Sequence, residues 1–181
     1  MSCTNCLITS AICKGCRDTV GGLKSAYVLA GSITGITYTT GSITNIDGTG
    51  TWYEYQLEKN TSSFTETITP SLENGTVFYQ QELVMVFNKL RQVVQNQLIK
   101  LAQCTELRVI VESNEGTFFL LGLDFGMALS AGSASTGLTF GDRNGYTVTL
   151  TGFEKEPAAA FDTTLTLAQI LTGFGGYTQC S

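Results

Sequence analysis

Four cysteines near the amino terminus have a spacing that could serve a metal site. Cys3, Cys6, Cys13 and Cys16 form two Cys-x-x-Cys pairs, and four thiolates held in this way can bind a zinc ion tetrahedrally. Only six residues separate the pairs, whereas zinc ribbons place about 15 to 20 residues between them, since each pair occupies its own hairpin. Two interpretations stay open. One is a zinc site, and the other is an arm of reduced cysteines without a chemical role. The short separation favours the second.

Other residues that commonly carry catalysis are absent or isolated. The chain has no histidine, the usual base for a cysteine or serine nucleophile, and no glycine-rich loop that ends in Lys-Ser or Lys-Thr. Glu54 with Glu58 and Glu154 with Glu156 resemble the carboxylate pairs that cleave glycosides. Charged residues at alternate positions of a strand are nevertheless typical of a solvated face. We therefore predict a protein that is not an enzyme and, apart from the open question of zinc, uses no cofactor.

Charge and hydropathy exclude further classes. The net charge is −5, and the ten Lys and Arg residues are scattered, so the clustered basic groups that grip nucleic-acid phosphates are missing. No apolar run approaches the about 18 residues of a membrane span, and the start lacks the pattern of a secretory signal. In such a chain Cys104 and Cys180 are not expected to form a disulfide.

The central part of the chain predicts a β-rich domain with one helix. Residues 61–70 alternate with the period of a strand, and Asn74-Gly75 provides a turn. Residues 77–88 fit either a helix or a strand, and the β-branched and aromatic residues favour the strand. A helical stripe follows over about residues 90–103, formed by Leu90, Val93, Val94, Leu98 and Leu101. Strands at 107–111 and 117–121 flank a turn at 114–116, so the helix must pack against a sheet.

The flanking segments add strands and two arms. Residues 23–30 predict the first strand, and 31–38 and 41–48, which both begin Gly-Ser-Ile-Thr, predict consecutive hairpin arms. Residues 51–59 predict a strand with Tyr53, Tyr55 and Leu57 on one face and Trp52, Glu54, Gln56 and Glu58 on the other. Trp52 is interpreted as an ordinary strand aromatic more readily than as a sugar-binding platform.

Turn residues separate the predicted elements in the last third of the chain. Residues 130–137 are small and predict a loop, 142–145 predict a hairpin turn, and 146–151 predict a strand that ends at 154–157. Residues 163–171 predict a short helix capped by Thr163 or Thr164. The apolar tail at 174–177 would gain a burial site in a neighbour's groove. We divide the chain into a cysteine-rich arm (1–22), a β-sandwich or barrel domain with the helix (23–157) and a C-terminal arm (158–181).

The order of these elements resembles the tail tube proteins, and related tail or neck ring proteins, of tailed bacteriophages. The resemblance is carried by residues 62–68, 73–76, 78–90, the helix to 103, 107–112, 114–116, and 142–156 with Pro157. It implies an antiparallel β-sandwich or barrel with a packed helix. It also implies assembly into stacked rings, usually of six copies, that form a conduit for DNA. The cysteine-rich start is not part of the general family pattern.

The resemblance further implies a virion tail component that is assembled in the host cytoplasm. Its partners would be its own copies and other tail or neck proteins, without a membrane, while DNA passes without specific binding. An acidic lining would repel phosphate, and Glu54, Gln56, Glu58 and Glu82 are candidates for that lining, with an ordinary outer surface as the equal alternative. Two other functions remain open: a β-sandwich module that recognises a carbohydrate or receptor through Trp52 and the loop around Gly132, and a zinc-dependent interaction protein.

Overall fold

The computed structural model describes residues 11–14, 19–71 and 73–180. The predicted mainly β fold with one packed helix is confirmed. In chain order the elements are β1 (Leu23–Thr39), β2 (Ser42–Gln56), β3 (Ser63–Ser71), β4 (Thr76–Asn88), α1 (Gln92–Gln103), β5 (Val109–Ser113), β6 (Phe118–Leu121), β7 (Met127–Ser135), β8 (Gly145–Glu154), β9 (Ala159–Ala160), α2 (Leu167–Ile170), a 3₁₀ turn (Thr172–Phe174) and β10 (Tyr177–Thr178). Within these described ranges, no helix is long and apolar enough to cross a bilayer.

Two sheets pack face to face as a sandwich. One has six strands in the order β10-β2-β1-β5-β6-β9, and the other has four in the order β3-β4-β8-β7. Alternate residues of both sheets point into the space between them. The apolar layer there, which we call the inner core, includes Ala26, Val28, Val109 and Val111 of the first sheet and Leu83, Met85, Val148 and Leu150 of the second.

The longest hairpin joins β1 and β2. The predicted arms at 31–38 and 41–48 do pair with each other. The structure differs from the prediction in two places. Residues 31–38 continue the first predicted strand without a break, and residues 41–48 run without a break into most of the predicted 51–59 strand. Gly31 lies opposite Gly50, and a Cβ on Gly31 would come within 1.9 Å of the Thr49 carbonyl oxygen. These glycines therefore permit a close backbone approach inside one hairpin and do not mark strand ends.

Two further hairpins follow the sequence predictions. Residues 77–88 form β4, which confirms the strand interpretation, and β4 pairs with β3 from Ser71 opposite Thr76 to Ser63 opposite Val84. Gly75 has φ of 62° in the connecting turn, a conformation that glycine adopts without steric cost. The turn at 114–116 likewise joins β5 to β6.

The helix α1 packs on the inner core, as predicted, with one residue misassigned. Leu90, Val94, Leu98 and Leu101 contact that core, whereas Val93 is 71% exposed. The contacting residues recur every three or four positions, and Val93 is rotated about 100° from Val94 around the helix axis. It therefore faces solvent.

The C-terminal segment covers the other face of the six-stranded sheet. Leu167, Ile170 and Leu171 are buried there with Trp52, and the Phe174 ring meets the Trp52 ring edge to face at 5.6 Å. The prediction that the tail at 174–177 needs a neighbour's groove was wrong, because its own chain buries it. The predicted helix cap was also wrong: Thr166, not Thr163 or Thr164, caps α2, in a capping box with Gln169.

A small-residue segment that we predicted to be a loop is a strand. Residues 130–135 belong to β7, and its pairing with β8 runs on from Ala131 opposite Thr149 to Ser135 opposite Gly145 after an irregularity at Leu129. Ala, Gly and Ser have low intrinsic strand preference. The strand forms because β8 offers a complete row of backbone partners.

Candidate functional site

The four-stranded sheet ends on both sides in long strands. The edge strands β3 and β7 have nine residues each. Within the described residues β3 pairs only with β4, and β7 pairs with β8 and, at Met127 alone, with Leu107. Each strand thus leaves most of one row of N–H and C=O groups without a backbone partner, and such a row can pair with a strand of another chain. Charged side chains on an edge strand commonly discourage such pairing, and β7 carries none.

The outer face of this sheet carries hydroxyl groups along β3 and β8, with the apolar side chains of Val84 and Val86 between them and Phe78 and Phe153 at one end. Residues that point away from the inner core include Ser63, Thr65, Thr67, Gln80, Thr147, Thr149 and Thr151. Glu82 lies in the same surface, between Thr65 and Thr151. Among the described strand residues of this sheet it is the one ionisable side chain on that face. We call this surface the hydroxyl face. It offers hydrogen bonds and weak negative charge, and the Arg143 guanidinium reaches it from the loop after β7, where Nη2 donates to the Thr147 hydroxyl at 2.6 Å.

Two of the other predicted lining residues, Glu54 and Gln56, lie elsewhere. They share a face with Trp52 on β2, which the C-terminal segment covers. The Glu54 carboxylate accepts the backbone N–H of Cys180 at 3.2 Å and the Ser25 hydroxyl at 3.5 Å. Glu54 and Gln56 are thus on the opposite side of the sandwich from Glu82, so one copy cannot present all three to one lumen. Strand alternation alone does not tell which sheet a strand joins.

The covered face also holds an ionic cluster beside Glu54, in which Glu112 and Tyr27 are buried and Lys24 is exposed. The Glu112 carboxylate accepts Lys24 Nζ at 2.6 Å and the Tyr27 hydroxyl at 3.0 Å. The hydrogen bond to Glu112 raises the pKa of Lys24. Burial, followed by the nearby Glu112 charge, raises the pKa of Tyr27. The cluster is internally satisfied, and its position under the C-terminal segment gives it a structural role.

Glu58 lies at one end of the sandwich, and Trp52 lies in the core. Glu58 is exposed after the end of β2 and accepts Asn88 Nδ2 at 2.9 Å, which links the two sheets. Trp52 is 0% exposed, so it is a core residue and cannot form a surface platform for a sugar. The strand-aromatic interpretation of Trp52 is confirmed.

The cysteine cluster falls mostly outside the described residues. Cys3, Cys6 and Cys16 lie in ranges that the structure does not describe, and Cys13 is exposed, as are Cys104 and Cys180. Over residues 11–14, 19–71 and 73–180, no group of three or more Cys, Asp or Glu side chains could hold a metal ion. The zinc hypothesis for the four cysteines remains a prediction. Residues 20–22 do contact the β5–β6 turn, where Val20 donates its N–H to Glu115 at 2.8 Å.

The loop between β7 and β8 presents two apolar side chains in a fixed conformation. Leu138 is 96% exposed and Phe140 is fully exposed. Asp142 closes the loop, because one of its carboxylate oxygens accepts the N–H groups of Leu138 and Thr139, both at 2.8 Å. These hydrogen bonds lower the pKa of Asp142. We call residues 136–144 the apolar loop.

A second loop is organised by a buried carboxylate. Glu154 is 3% exposed and accepts the backbone N–H groups of Asp124 at 2.9 Å, Phe125 at 3.0 Å and Gly126 at 3.1 Å. Gln81, also buried, accepts the N–H of Gly122 at 2.9 Å. Side chains of the four-stranded sheet therefore hold the segment between β6 and β7 in place. Phe125 projects from this segment and is half exposed.

Two sequence-derived candidates lie on these surfaces: Glu82 on the hydroxyl face, and Gly132, which belongs to the edge strand β7 and not to a loop. The unpaired edge of β7 was missed because its small residues resemble a loop. Leu138 and Phe140 carried a usable signal: two large apolar residues inside a segment rich in Gly, Ser and Thr, where a monomer has no packing need for them.

Comparisons with protein-family models, with curated protein sequences and with solved structures found no match for this chain.

Proposed function

We propose that the protein is a structural subunit of a virion, in a tail tube or neck ring, whose copies join edge to edge into a ring around a passage for DNA. The observation that carries the proposal is the four-stranded sheet, whose nine-residue strand at each side leaves most of its outer edge without a backbone partner among the described residues. Each backbone hydrogen bond that an edge gains contributes about 0.5–1.5 kcal/mol net. A nine-residue edge can therefore supply a substantial contact without a large apolar interface.

The two edges have matching directions. β3 runs towards the end of the sheet where Ser71 pairs with Thr76, and β7 runs towards the end where Ser135 pairs with Gly145. If β3 of one copy lies beside β7 of the next, the two strands are antiparallel, as are all pairs within this sheet. The contact joins two different surfaces, and such heterologous contacts close into rings when the rotation between copies permits.

Ring closure turns the four-stranded sheets into one continuous cylinder of strands. The side that bears the inner core also carries the second sheet, so the hydroxyl face is the side left free to line the opening. Six copies, the number that the family resemblance implies, would contribute 24 strands. With strands about 4.8 Å apart and tilted by about 40°, the backbone cylinder would be about 45–50 Å across, which leaves an opening of roughly 30 Å for double-stranded DNA.

The chemistry of the hydroxyl face suits passage better than retention. Phosphate binding by proteins depends on clustered Lys and Arg that displace counterions. The strands place none of these on the face, and one arginine, Arg143, reaches it from the loop after β7. Glu82 adds one carboxylate per copy, which repels phosphate weakly. Of the four predicted lining residues, Glu82 alone is kept in this proposal.

Electron microscopy and sedimentation test the function itself. Purified full-length protein at rising concentration is expected to form rings or tubes in negative stain, and to sediment as a species of several copies. The opening should measure about 30 Å in projection. A protein that sediments as a monomer at all concentrations, or closed dimers without an opening, would contradict the proposal.

A further inference from the structure

Two Asn-Gly pairs occur in the chain, Asn74-Gly75 and Asn144-Gly145. In such a pair the backbone nitrogen of the glycine can attack the side-chain amide of the asparagine. Glycine favours this attack because it has no side chain to shield the nitrogen and its backbone adopts conformations that other residues rarely reach. The two pairs have opposite environments in the fold, so the structure distinguishes the pair that can react from the pair that cannot.

The pair at 74–75 lies in open space. Asn74 and Gly75 are both exposed, in the turn that joins β3 to β4. A Cβ built on Gly75 would meet no atom within 4 Å. Within the described residues the backbone N–H of Asn74 contacts the Ser71 hydroxyl at 3.4 Å, and no hydrogen bond holds the Asn74 side-chain amide. That amide is therefore free to turn towards the Gly75 nitrogen.

The pair at 144–145 is fixed by its surroundings. The Asn144 backbone carbonyl accepts the N–H of Lys89 at 2.6 Å, and its side-chain carbonyl accepts the N–H of Leu90 at 3.3 Å. Gly145 is buried at the start of β8, where a Cβ would come within 2.0 Å of the Phe87 carbonyl oxygen. The Asn144 amide can reach the Gly145 nitrogen only after its hydrogen bond to Leu90 breaks and the start of β8 loosens.

We propose that Asn74 is a site of spontaneous deamidation and that the fold protects Asn144. The Gly75 nitrogen gives up its proton to a base in the solvent and forms a bond to the side-chain carbonyl carbon of Asn74. The bond between that carbon and the amide nitrogen breaks, and the nitrogen takes a proton from solvent and leaves as ammonia. Water then opens the succinimide ring at either carbonyl. The products are aspartate and isoaspartate, in which the main chain runs through Cβ.

The modification changes the surface charge of the turn. Both products carry a carboxylate where the chain has an amide, so each modified copy gains one negative charge beside Glu73. Isoaspartate also adds one methylene group to the main chain between Ser71 and Thr76, the last pair of the hairpin. A surface turn tolerates such an insertion, so the paired strands should stay in register. The reaction needs one copy only and does not rest on the proposed function.

Peptide mapping of the full-length protein, aged at neutral pH in water labelled with heavy oxygen, tests the assignment. The peptide that contains Asn74 is expected to take up heavy oxygen and to become a substrate for an isoaspartyl methyltransferase. Modification at Asn144 should be at least about 10-fold slower, because the hydrogen bond that holds its amide must break before the attack. Asn144 is thus the matched control within the same chain.

Protein unfolded in guanidinium chloride provides the second comparison. There Asn144 should react about as fast as Asn74, because the contacts at the start of β8 are gone. Asn74→Gln should abolish the reaction at this turn, since the longer side chain would have to close a larger ring. An Asn74 that keeps its amide, or an Asn144 that reacts as fast as Asn74 in the folded protein, would overturn the proposal. Slow reaction of Asn144 in the unfolded chain would also overturn it, because the protection would then not come from the fold.

Discussion

Ala134→Pro is expected to abolish ring formation while the monomer stays folded. Along an antiparallel strand the N–H groups of alternate residues point to opposite neighbours. The Asn144 carbonyl accepts the N–H of Lys89 on the β4 side, so the backbone groups of Gly145 and Thr147 point towards β7. Ser133, opposite Thr147, therefore bonds within the sheet. The N–H of Ala134 points outwards, where the proposed contact needs it.

The expected loss follows from that missing donor. Proline at position 134 removes one hydrogen bond from each contact between copies and leaves an acceptor unpaired, which costs about 2–4 kcal/mol. Each contact should weaken roughly 30- to 1,000-fold, and ring closure multiplies the effect. Sedimentation velocity reads out the loss of rings, and circular dichroism reports the fold of the monomer.

Ser133→Pro provides the matched control one position away. It removes a bond inside the monomer, so it should lower the free energy of unfolding by about 1–3 kcal/mol. If Ala134→Pro forms rings as readily as the unmodified protein, the β7 edge is not the contact. On β3, Pro70 lies in register with Val77, one residue from the strand end. Proline has no N–H, so the proposed contact draws no donor from position 70.

Glu154→Ala is expected to produce the largest loss of monomer stability. The carboxylate is buried and satisfies three backbone N–H groups, those of residues 124, 125 and 126. Removal takes the acceptor from all three donors, and the free energy of unfolding should fall by about 3–5 kcal/mol. Urea denaturation measures this change.

Glu156→Ala is the control for that substitution, since Glu156 is exposed two residues away. Its effect should stay within about 0.5 kcal/mol. A Glu154→Ala loss as small as that of Glu156→Ala would mean that the 122–126 segment is not held by this carboxylate.

Local patterns in the sequence were sufficient to predict much of the fold. The alternation in 146–151 and the Asn74-Gly75 turn predicted β8 and the β3–β4 hairpin, because each depends on residues close together in the chain. The helix was equally accessible from its apolar stripe. Alternation in the sequence could not predict what covers each face of a sheet. Trp52 and Glu54 lie on the same face of β2, and only the fold shows that the C-terminal segment covers that face.

The candidate site was less accessible for a related reason. Edges and faces depend on which strands become neighbours, and neighbours such as β4 and β8 are far apart in the sequence. Glu54 and Glu82 look alike as strand carboxylates, yet they lie on opposite sides of the sandwich. The strand β7 has almost no local signal and exists through its pairing with β8.

Chemical cross-linking between the two sheet edges tests the central claim most directly. Thr67 on β3 and Ser133 on β7 both point to the hydroxyl face. A chain with Thr67→Cys and Ser133→Cys, assembled and treated with a short thiol-reactive cross-linker, should yield a peptide that joins position 67 of one copy to position 133 of another. Links from position 133 to position 133 would indicate a symmetric dimer through β7, and that result, or no link between these strands in assembled particles, would contradict a ring closed by β3 and β7.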